Sequence, residues 1–466
     1  MSVTDRILDF AEKYGDYDNL PEEVIHEVKM LLLDGIGNAL AGIASDKGKI
    51  GVEMARQMGG NPVSTVIGTG GKVSAPTAAF ANAELLNGLD MDPIPHVPPL
   101  VIPSVLASAE MEGVNGKKLL GSLAVGLELG MRLCNVFGML MIISYIKYNK
   151  TPDCFSNGNE SVIAAAVADA VAMGLSREQM ANALGIAAYY CTLPVCRDWE
   201  SSCPKTMVKY APISFLAQGS VEAAMLARAG YTGNATTLDN EFGFALYNNN
   251  NKEIWDEEKI AGGLGEQWNL LNIIYKPYPC CSFIHPVLDC FKRITDREKL
   301  SRYDIEEVQC FTAPFNAHPD QYAVENQIDV QFSAPYCFAL MINHYPVGPG
   351  WQSKKALKDP AIREFMHRVK MNVAPEYAQY RKTDPKSWYG RVELTTTDGR
   401  VFREETMYPT GAKVPGYAFS DEDMICRFRE MGSQILTDQK LERAADIIMH
   451  LEDCESLDEL FESITL

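Results

Sequence analysis

The sequence predicts a mainly α-helical protein in which a large all-helical domain carries a smaller α/β domain. Apolar residues recur at helical spacing through most of the first part of the chain, alternation of apolar and polar residues appears after Trp268, and a helical pattern returns near Ser420. We therefore expect residues 1–270 and 413–466 to form the helical domain and residues 271–412 the α/β domain. A chain of 466 residues is long enough for two or three domains.

The helical domain is predicted from its apolar periodicity. Pro21, followed by two glutamates, has the composition of a first helical turn. Prolines at the density found between Pro93 and Pro99 exclude a regular helix and predict a loop there. The segments with helical patterns are 5–43 (two helices), 76–90, 100–112 and most of 116–230.

The α/β domain is predicted from two alternating segments and one turn. Val308–Phe315 and Trp388–Thr397 alternate apolar with polar residues, as strands with one buried face do. Asp398-Gly399 then leads into Val401–Thr406, which is the strongest hairpin signal in the sequence. Beyond it, Ser420 and Asp423 fit a helix capping box only loosely, since Asp stands where Glu or Gln is usual.

Composition excludes several classes of function. The formal net charge of −19 argues against nucleic acid and anionic membrane surfaces as partners. The first residues lack the basic start and apolar core of a signal peptide, and the longest apolar run, Val136–Ile146, is far shorter than the roughly 20 residues that span a bilayer. The 12 cysteines include no CxxC pair, so we expect reduced thiols and a cytoplasmic location.

Motifs for cofactors are absent from the sequence. The sequence contains no complete GxGxxG, Walker A, HExxH or GxSxG motif, and its His and Cys spacing fits no zinc pattern. We therefore expect neither a cofactor nor a metal. If the protein is an enzyme, we expect it to work by acid–base catalysis.

A first candidate site follows the predicted helix 76–90. Asp90, Asp92 and His96 place two carboxylates and an imidazole on a helix end and a loop, where catalytic groups are common. A histidine can act as general acid or base near neutral pH. The alternative is that the aspartates are helix-end residues and His96 lies on the surface.

Three later segments offer further candidates. Lys209, before an Ala-rich helix, is either a point charge for a substrate carboxylate or a solvated lysine. Lys276 and Cys281 lie at the expected join between domains, where ligand clefts are common, although free cysteines usually pack in the core. Tyr336 has a hydroxyl that could donate to a carboxylate or to the backbone.

These four segments, in this order and spacing, resemble the MmgE/PrpD superfamily, which includes 2-methylcitrate dehydratases, cis-aconitate decarboxylases and an iminodisuccinate epimerase. The likeness extends over nearly the whole chain and includes the segments Leu20–Val24, Leu33–Gly42, Gly126–Leu133 and the region around Arg427-Phe428. It implies a helical domain built from both chain ends, an inserted α/β lid domain, a cleft between them, a homodimer, and proton transfer next to carboxylates without an organic cofactor.

The resemblance also assigns residues. Asp90, His96, Lys209, Lys276 and Tyr336 match positions of the family's motifs. The chain departs from the family pattern at five positions. Asn87 stands for a histidine, Pro93 for the second aspartate and Ile94 for a threonine, while Cys154 and Cys281 stand where histidines are expected.

From these residues we expect a lyase, dehydratase-like, acting on a small di- or tricarboxylate. Lys209, Lys276 and Arg197 would bind carboxylates, and His96 or Asp90 would move the proton. One alternative is a decarboxylase of a similar acid. A second is an epimerase, in which Cys154 or Cys281 would act on the face of the carbon opposite His96. A third is a relative that binds a ligand but has no catalytic activity. Arg197 enters because it lies in a cysteine-rich segment, 191–203, that could hold part of a different site.

Overall fold

The chain is mainly α-helical, as the sequence predicts. The computed structural model describes residues 1–148, 155–192, 196–245, 255–314, 319–384 and 386–466. Within these ranges helices α1–α20 span, in order, Val3–Tyr14, Glu22–Gly42, Asp46–Met58, Ala75–Leu86, Pro98–Glu112, Gly116–Tyr148, Ser161–Ala172, Arg177–Tyr190, Cys196–Ser201, Ile213–Arg228, Glu257–Ala261, His285–Glu298, Gln327–Phe332, Ala334–Ile342, Lys354–Lys358, Pro360–Met366, Tyr377–Thr383, Asp421–Gly432, Asp438–Met449 and Asp458–Ser463. Strands β1–β6 span Ser64–Val66, Gly71–Val73, Ile305–Thr312, Val369–Val373, Gly390–Thr396 and Val401–Thr406.

Several helix boundaries follow from capping chemistry. Ser420 and Asp423 form a complete capping box at the start of α18, with both reciprocal hydrogen bonds present. Pro21 stands at the N-cap of α2 rather than inside its first turn. Helix α5 begins earlier than predicted, at Pro98, because a proline in the first turn lacks only an N–H that would have no helical partner.

The helical layers pack around α4, α5, α7 and α10, which contact one another. Small residues permit this close approach, and the alanines of α7 are fully buried. The C-terminal helix α18 packs against α2, where Arg427 Nε donates to Asp34 Oδ1 at 2.8 Å. The segment Gly116–Gly138 of α6 is long and apolar enough to cross a membrane, but 94% of its apolar 18-residue window is buried inside the protein.

A four-stranded sheet lies in the second half of the chain, in the order β4-β3-β5-β6. Strands β5 and β6 form the predicted antiparallel hairpin, and Gly399 in its turn has a φ of 84°, which glycine adopts without strain. Strand β4, which the sequence analysis missed, pairs in parallel with β3. Helix α12 covers the sheet by packing on β3, β5 and β6.

The loop between α4 and α5 positions the candidate site. Helix α4 ends at Leu86, not at residue 90 as predicted, because Asp90 has a left-handed backbone that a helix cannot contain. Farther along the loop, Ile94 and Ile274 exchange backbone hydrogen bonds of 3.0 Å in both directions. This bridge brings the loop next to the segment that carries Lys276.

Candidate active site

Asp90 is the centre of a fully buried ion cluster. Its Oδ1 accepts a hydrogen bond from Lys209 Nζ at 2.5 Å, and its Oδ2 accepts one from Lys276 Nζ at 2.8 Å. Each ammonium also donates to a backbone carbonyl, Lys209 to that of Asn87 and Lys276 to that of Asp90. The three side chains are at most 1% exposed. The structure therefore brings together three predicted residues that are far apart in sequence.

The backbone at this cluster is strained. Asp90 and Lys209 have φ values of 59° and 57°, a conformation that costs a residue other than glycine about 1–3 kcal/mol. Two buried glutamines hold the turn before Asp90, since Gln331 Nε2 donates to the Gly88 carbonyl at 2.9 Å and Gln352 Nε2 to the Leu89 carbonyl at 2.8 Å. The ion pairs and these amide bonds together keep the strained turn in place.

The charges of the cluster determine its protonation. Burial disfavours the charged form of Asp90, but Lys209 and Lys276 outweigh that effect and hold the pKa of its carboxyl well below the usual range. Burial lowers the pKa of Lys209 to about 8, against the opposing effect of Asp90. Burial acts in the same direction on Lys276, but Asp90 and Asp92 raise its pKa above the usual value. The cluster thus consists of one carboxylate and two ammonium groups near neutral pH.

His96 belongs to a second, adjoining network. Its Nδ1 lies 2.5 Å from Asp92 Oδ2 and 2.9 Å from Tyr210 Oη. Asn87 Nδ2 donates to Asp92 Oδ1 at 3.1 Å and to Tyr210 Oη at 2.8 Å. Tyr210 Oη in turn lies 3.4 Å from Asp90 Oδ1, so the network joins the histidine to the ion cluster.

These contacts decide which nitrogen of His96 is available. An ionised Asp92 can only accept a hydrogen bond, so Nδ1 carries the proton and Nε2 presents its lone pair. In the described part of the chain no hydrogen bond to Nε2 is found, and the side chain, 9% exposed, lines the cavity described next. Burial lowers the pKa of His96, against the raising effect of Asp92, which keeps the imidazole neutral near pH 7.

The two networks lie at the wall of a cavity of about 440 Å³. Asp90, His96 and Tyr210 line it on one side, and residues from the second half of the chain, including Cys281, Arg381 and Trp388, line the rest. A cavity of this size admits a small organic acid. Its lining is largely apolar and includes Ile94, Phe155, Trp199, Ile274, Phe283 and Phe332.

Of the predicted site residues, Asp90, His96 and Cys281 line this cavity, and the others are placed differently. Lys209 and Lys276 lie behind Asp90, do not line the cavity and pair with the Asp90 carboxylate. Arg197 also does not line it, and its guanidinium pairs with Glu200.

Tyr336 lies away from the cavity lining. It is fully buried in α14 and is not among the residues that line the cavity. Arg363 lies over its ring, 5.9 Å from the centroid. Its hydroxyl therefore contributes no donor to the cavity in this structure. Cys154, the remaining predicted residue, lies outside the described residues.

Cys281 is a thiol rather than a thiolate in this setting. Burial, together with the nearby Asp90, raises its pKa to about 12, although Lys276 acts in the opposite direction. It can donate a proton but is a poor base at neutral pH.

Sequence reasoning missed part of the site. The sequence predicts Asp92 in the same loop as His96, but it does not predict the contact between the Asp92 carboxylate and His96 Nδ1. Tyr210, Arg381 and Lys386 reach the cavity from positions more than 100 residues away, and nothing in their local sequence indicates this. Among the described residues no group of three His, Cys, Asp or Glu side chains is arranged to hold a metal ion.

The ion cluster predicts a large stability effect. Asp90→Asn leaves two buried ammonium groups without a carboxylate and should destabilise the fold by about 3–5 kcal/mol, seen as a lower midpoint of thermal unfolding. Asp398→Asn, at an exposed carboxylate paired with Arg400, is the matched control and should change stability by less than about 1 kcal/mol. Equal midpoints for both variants would contradict the assigned role of Asp90.

Comparison with known proteins identifies the family of this chain. Residues 5–254 match the MmgE/PrpD N-terminal domain and residues 278–453 the MmgE/PrpD C-terminal domain. Similar proteins include a cis-aconitate decarboxylase of Aspergillus terreus, 24% identical over 99% of this chain and 95% of its own length. The cis-aconitate decarboxylases of Homo sapiens and Mus musculus are 26% and 25% identical, over 94% of this chain and 89% and 88% of their lengths. The two domain matches together extend over most of the chain, which therefore belongs to the MmgE/PrpD family.

Proposed function

We propose that this protein is a lyase that acts on a small di- or tricarboxylate by removing a proton from the carbon next to a carboxylate, without a cofactor. The observation that carries the proposal is His96, a buried imidazole held neutral, with Nδ1 fixed by Asp92 and with no hydrogen bond to Nε2 from the described residues at the cavity wall. Such a group is a general base near neutral pH. Similarity to named decarboxylases over nearly the whole chain supports the same class of chemistry.

His96 is a better candidate for the base than Asp90. The Asp90 carboxylate is held by two ammonium groups, which lower its affinity for a proton. His96 has no such pairing at Nε2 within the described residues. Asp90 instead keeps Lys209 and Lys276 buried and charged close to the reacting group.

The ion cluster would stabilise the charge that develops during the reaction. Removing a proton next to a carboxylate places additional negative charge on that carboxylate's oxygens. One buried carboxylate and two buried ammonium groups give the cluster a net positive charge behind the part of the wall that Asp90 forms, and the adjoining Asp92 carboxylate offsets part of it. A fixed charge in a poorly hydrated site lowers the barrier to the extent that it favours the transition state over the bound acid.

Decarboxylation is the second candidate, and two observations favour it. Similar proteins from fungi and mammals are named cis-aconitate decarboxylases. The apolar side chains of the cavity lining, such as Ile94 and Phe155, would solvate a carboxylate poorly and so favour the loss of CO₂. The carbanion left behind would need a proton, which a donor in the lining such as the Cys281 thiol would supply. Both reactions use the same class of substrate, and the released product distinguishes them.

An epimerase is less well supported. It needs two groups that exchange protons on opposite faces of one carbon, and both must act as base in turn. Cys281, with a pKa of about 12, would be a thiolate too rarely to serve in the reverse direction.

We further propose that residues 271–412 act as a lid over the cavity and that the protein works in the cytoplasm. Cavity residues come from both chain halves, and α17 of the proposed lid packs on α6. All 11 described cysteines are free, as expected in a reducing compartment.

A homodimer is proposed from an exposed apolar surface. Phe215 on α10 is 62% exposed, Tyr189 on α8 82%, and Ile50 on α3 52%. Exposed apolar side chains mark interfaces when they lie together on one surface. Helix α10 packs against α8, and both α10 and α3 pack against α4, so the three side chains come from neighbouring helices. Phe215→Ser should therefore shift the protein from dimer to monomer in analytical ultracentrifugation, whereas Val401→Ser, on an exposed edge strand, should not. A wild-type protein that sediments as a monomer would contradict the proposal.

The role of His96 predicts a large loss of turnover. His96→Gln should lower kcat by about 10²–10⁴-fold, the contribution of a general base. NMR in D₂O with citrate, 2-methylcitrate, cis-aconitate and iminodisuccinate would follow water loss, CO₂ loss and deuterium uptake in one experiment. His26→Gln is the control, since His26 is exposed and pairs with Asp421. Undiminished turnover by the His96 variant would exclude it as the base.

The pH dependence gives a separate check. Burial lowers the pKa of His96 below the ordinary histidine value of 6.5. The imidazole therefore becomes protonated, and kcat/KM should fall, only below about pH 6.5. Asp92 raises that pKa, so Asp92→Asn should move the acid limb to lower pH while reducing the maximal rate. An acid limb that stays in place in the Asp92 variant would show that another group titrates.

A further inference from the structure

We propose that Arg381 and Lys386 form an anion subsite that binds the second carboxylate of the substrate, at a distance from the carbon on which His96 acts. The proposal rests on the function proposed above and adds the residues that would select polycarboxylates over monocarboxylates. Arg381 lies in α17, and Lys386 follows that helix. Both line the cavity that Asp90 and His96 line.

The cations that were predicted to bind carboxylates are already occupied. Lys209 and Lys276 pair with Asp90, and Arg197 pairs with Glu200. Lys413, which also lines the cavity, pairs with Glu27 at 2.6 Å. A substrate with two or three carboxylates needs another cationic group, and the cavity wall supplies two.

Arg381 and Lys386 carry no such pairing. Within the described ranges neither makes a salt bridge with a carboxylate, unlike the cations just named. The acidic residue nearest in sequence, Asp384, instead accepts hydrogen bonds from Tyr408 Oη and from the Lys386 backbone N–H. The Tyr408 hydroxyl does most to lower the pKa of the Asp384 carboxyl, and the charges of Arg381 and Lys386 lower it further. Neither cation forms a salt bridge with Asp384 within the described residues, so both keep donors that a ligand can use.

Both side chains are oriented by neutral partners. Arg381 Nη1 donates to the Ser387 carbonyl at 2.6 Å, and its guanidinium lies 5.4 Å from the centre of the Trp388 ring. Lys386 Nζ donates to Asn272 Oδ1 at 2.8 Å. A guanidinium has five N–H donors and an ammonium three, so most donors of both groups remain for a ligand.

The charge of the wall is opposite to that of the whole protein. The chain has a net charge of −19, yet the described residues that line the cavity include three cationic side chains and one carboxylate, Asp90. Because Asp90 is neutralised by its two lysines, the wall is positive where the substrate would lie. An Arg and a Lys that jointly hold one carboxylate form charge-assisted hydrogen bonds, which are stronger than neutral ones.

Binding of tricarballylate tests the subsite without turnover, since this tricarboxylate has neither a hydroxyl group to lose nor a double bond. Its Kd, measured by titration calorimetry, should rise at least tenfold in Arg381→Gln and in Lys386→Gln. The Kd of butyrate, a monocarboxylate, should change less than twofold. Lys382→Gln is the matched control, because this lysine adjoins Arg381 on α17 but does not line the cavity.

Turnover provides a second readout. With the acid identified as substrate, both subsite variants should raise KM more than they lower kcat and leave the acid limb of the pH profile in place. Wild-type affinity for tricarballylate in both variants would overturn the subsite and leave the lyase intact. Equal losses for tricarballylate and butyrate would also overturn it, since they indicate a structural role. A wild-type protein that neither binds nor converts any polycarboxylate would overturn both proposals.

Discussion

The site depends on the burial of one carboxylate between two ammonium groups. Each ion costs several kcal/mol to remove from water, so Asp90, Lys209 and Lys276 are stable in the interior only together. Their segments are separated by more than 60 residues at the closest, and the cluster therefore ties the loop after α4 to the approach to α10 and to the segment before α12. The left-handed backbone at Asp90 and Lys209 is tolerated because these ion pairs hold it.

Around this cluster the chain separates the tasks of the proposed reaction. Asp90 and its lysines supply a fixed positive charge, Asp92 and Tyr210 orient His96, and His96 handles the proton. Asn87, where the resemblance leads us to expect a histidine, keeps the network connected by donating to Asp92 and Tyr210 while its side-chain carbonyl accepts from Lys47. An amide at this position cannot move a proton, but it holds Asp92 and Tyr210 in place around His96.

The sequence predicted the elements whose signals are local. The helices of the first half, the hairpin around Gly399 and the capping box at Ser420 follow from periodicity, turn chemistry and capping, and the structure contains each of them. Strand β4 was missed because a short edge strand in parallel pairing has no turn signal of its own. The boundaries of the two predicted domains stay a prediction.

The sequence points to three residues that the structure brings together, but not to the geometry around them. Asp90, Lys209 and Lys276 were identified through the order of their motifs, but pattern alone could not show that the lysines point at Asp90 and away from the cavity. The position of Tyr336 outside the cavity lining depends on how α14 packs, and the position of Arg381 in that lining depends on how α17 packs on α6. Both positions are set by long-range packing, which local sequence patterns do not predict.

The protonation state of His96 tests the account most directly. Nitrogen-15 chemical shifts of histidine-labelled protein, with the His96 signals assigned by their loss in His96→Gln, report which ring nitrogen carries the proton. We expect a neutral imidazole at pH 7 with Nδ1 protonated and Nε2 unprotonated, as the contact with Asp92 requires. An imidazolium at pH 7, or a neutral ring protonated at Nε2, would contradict the assignment of His96 as the base.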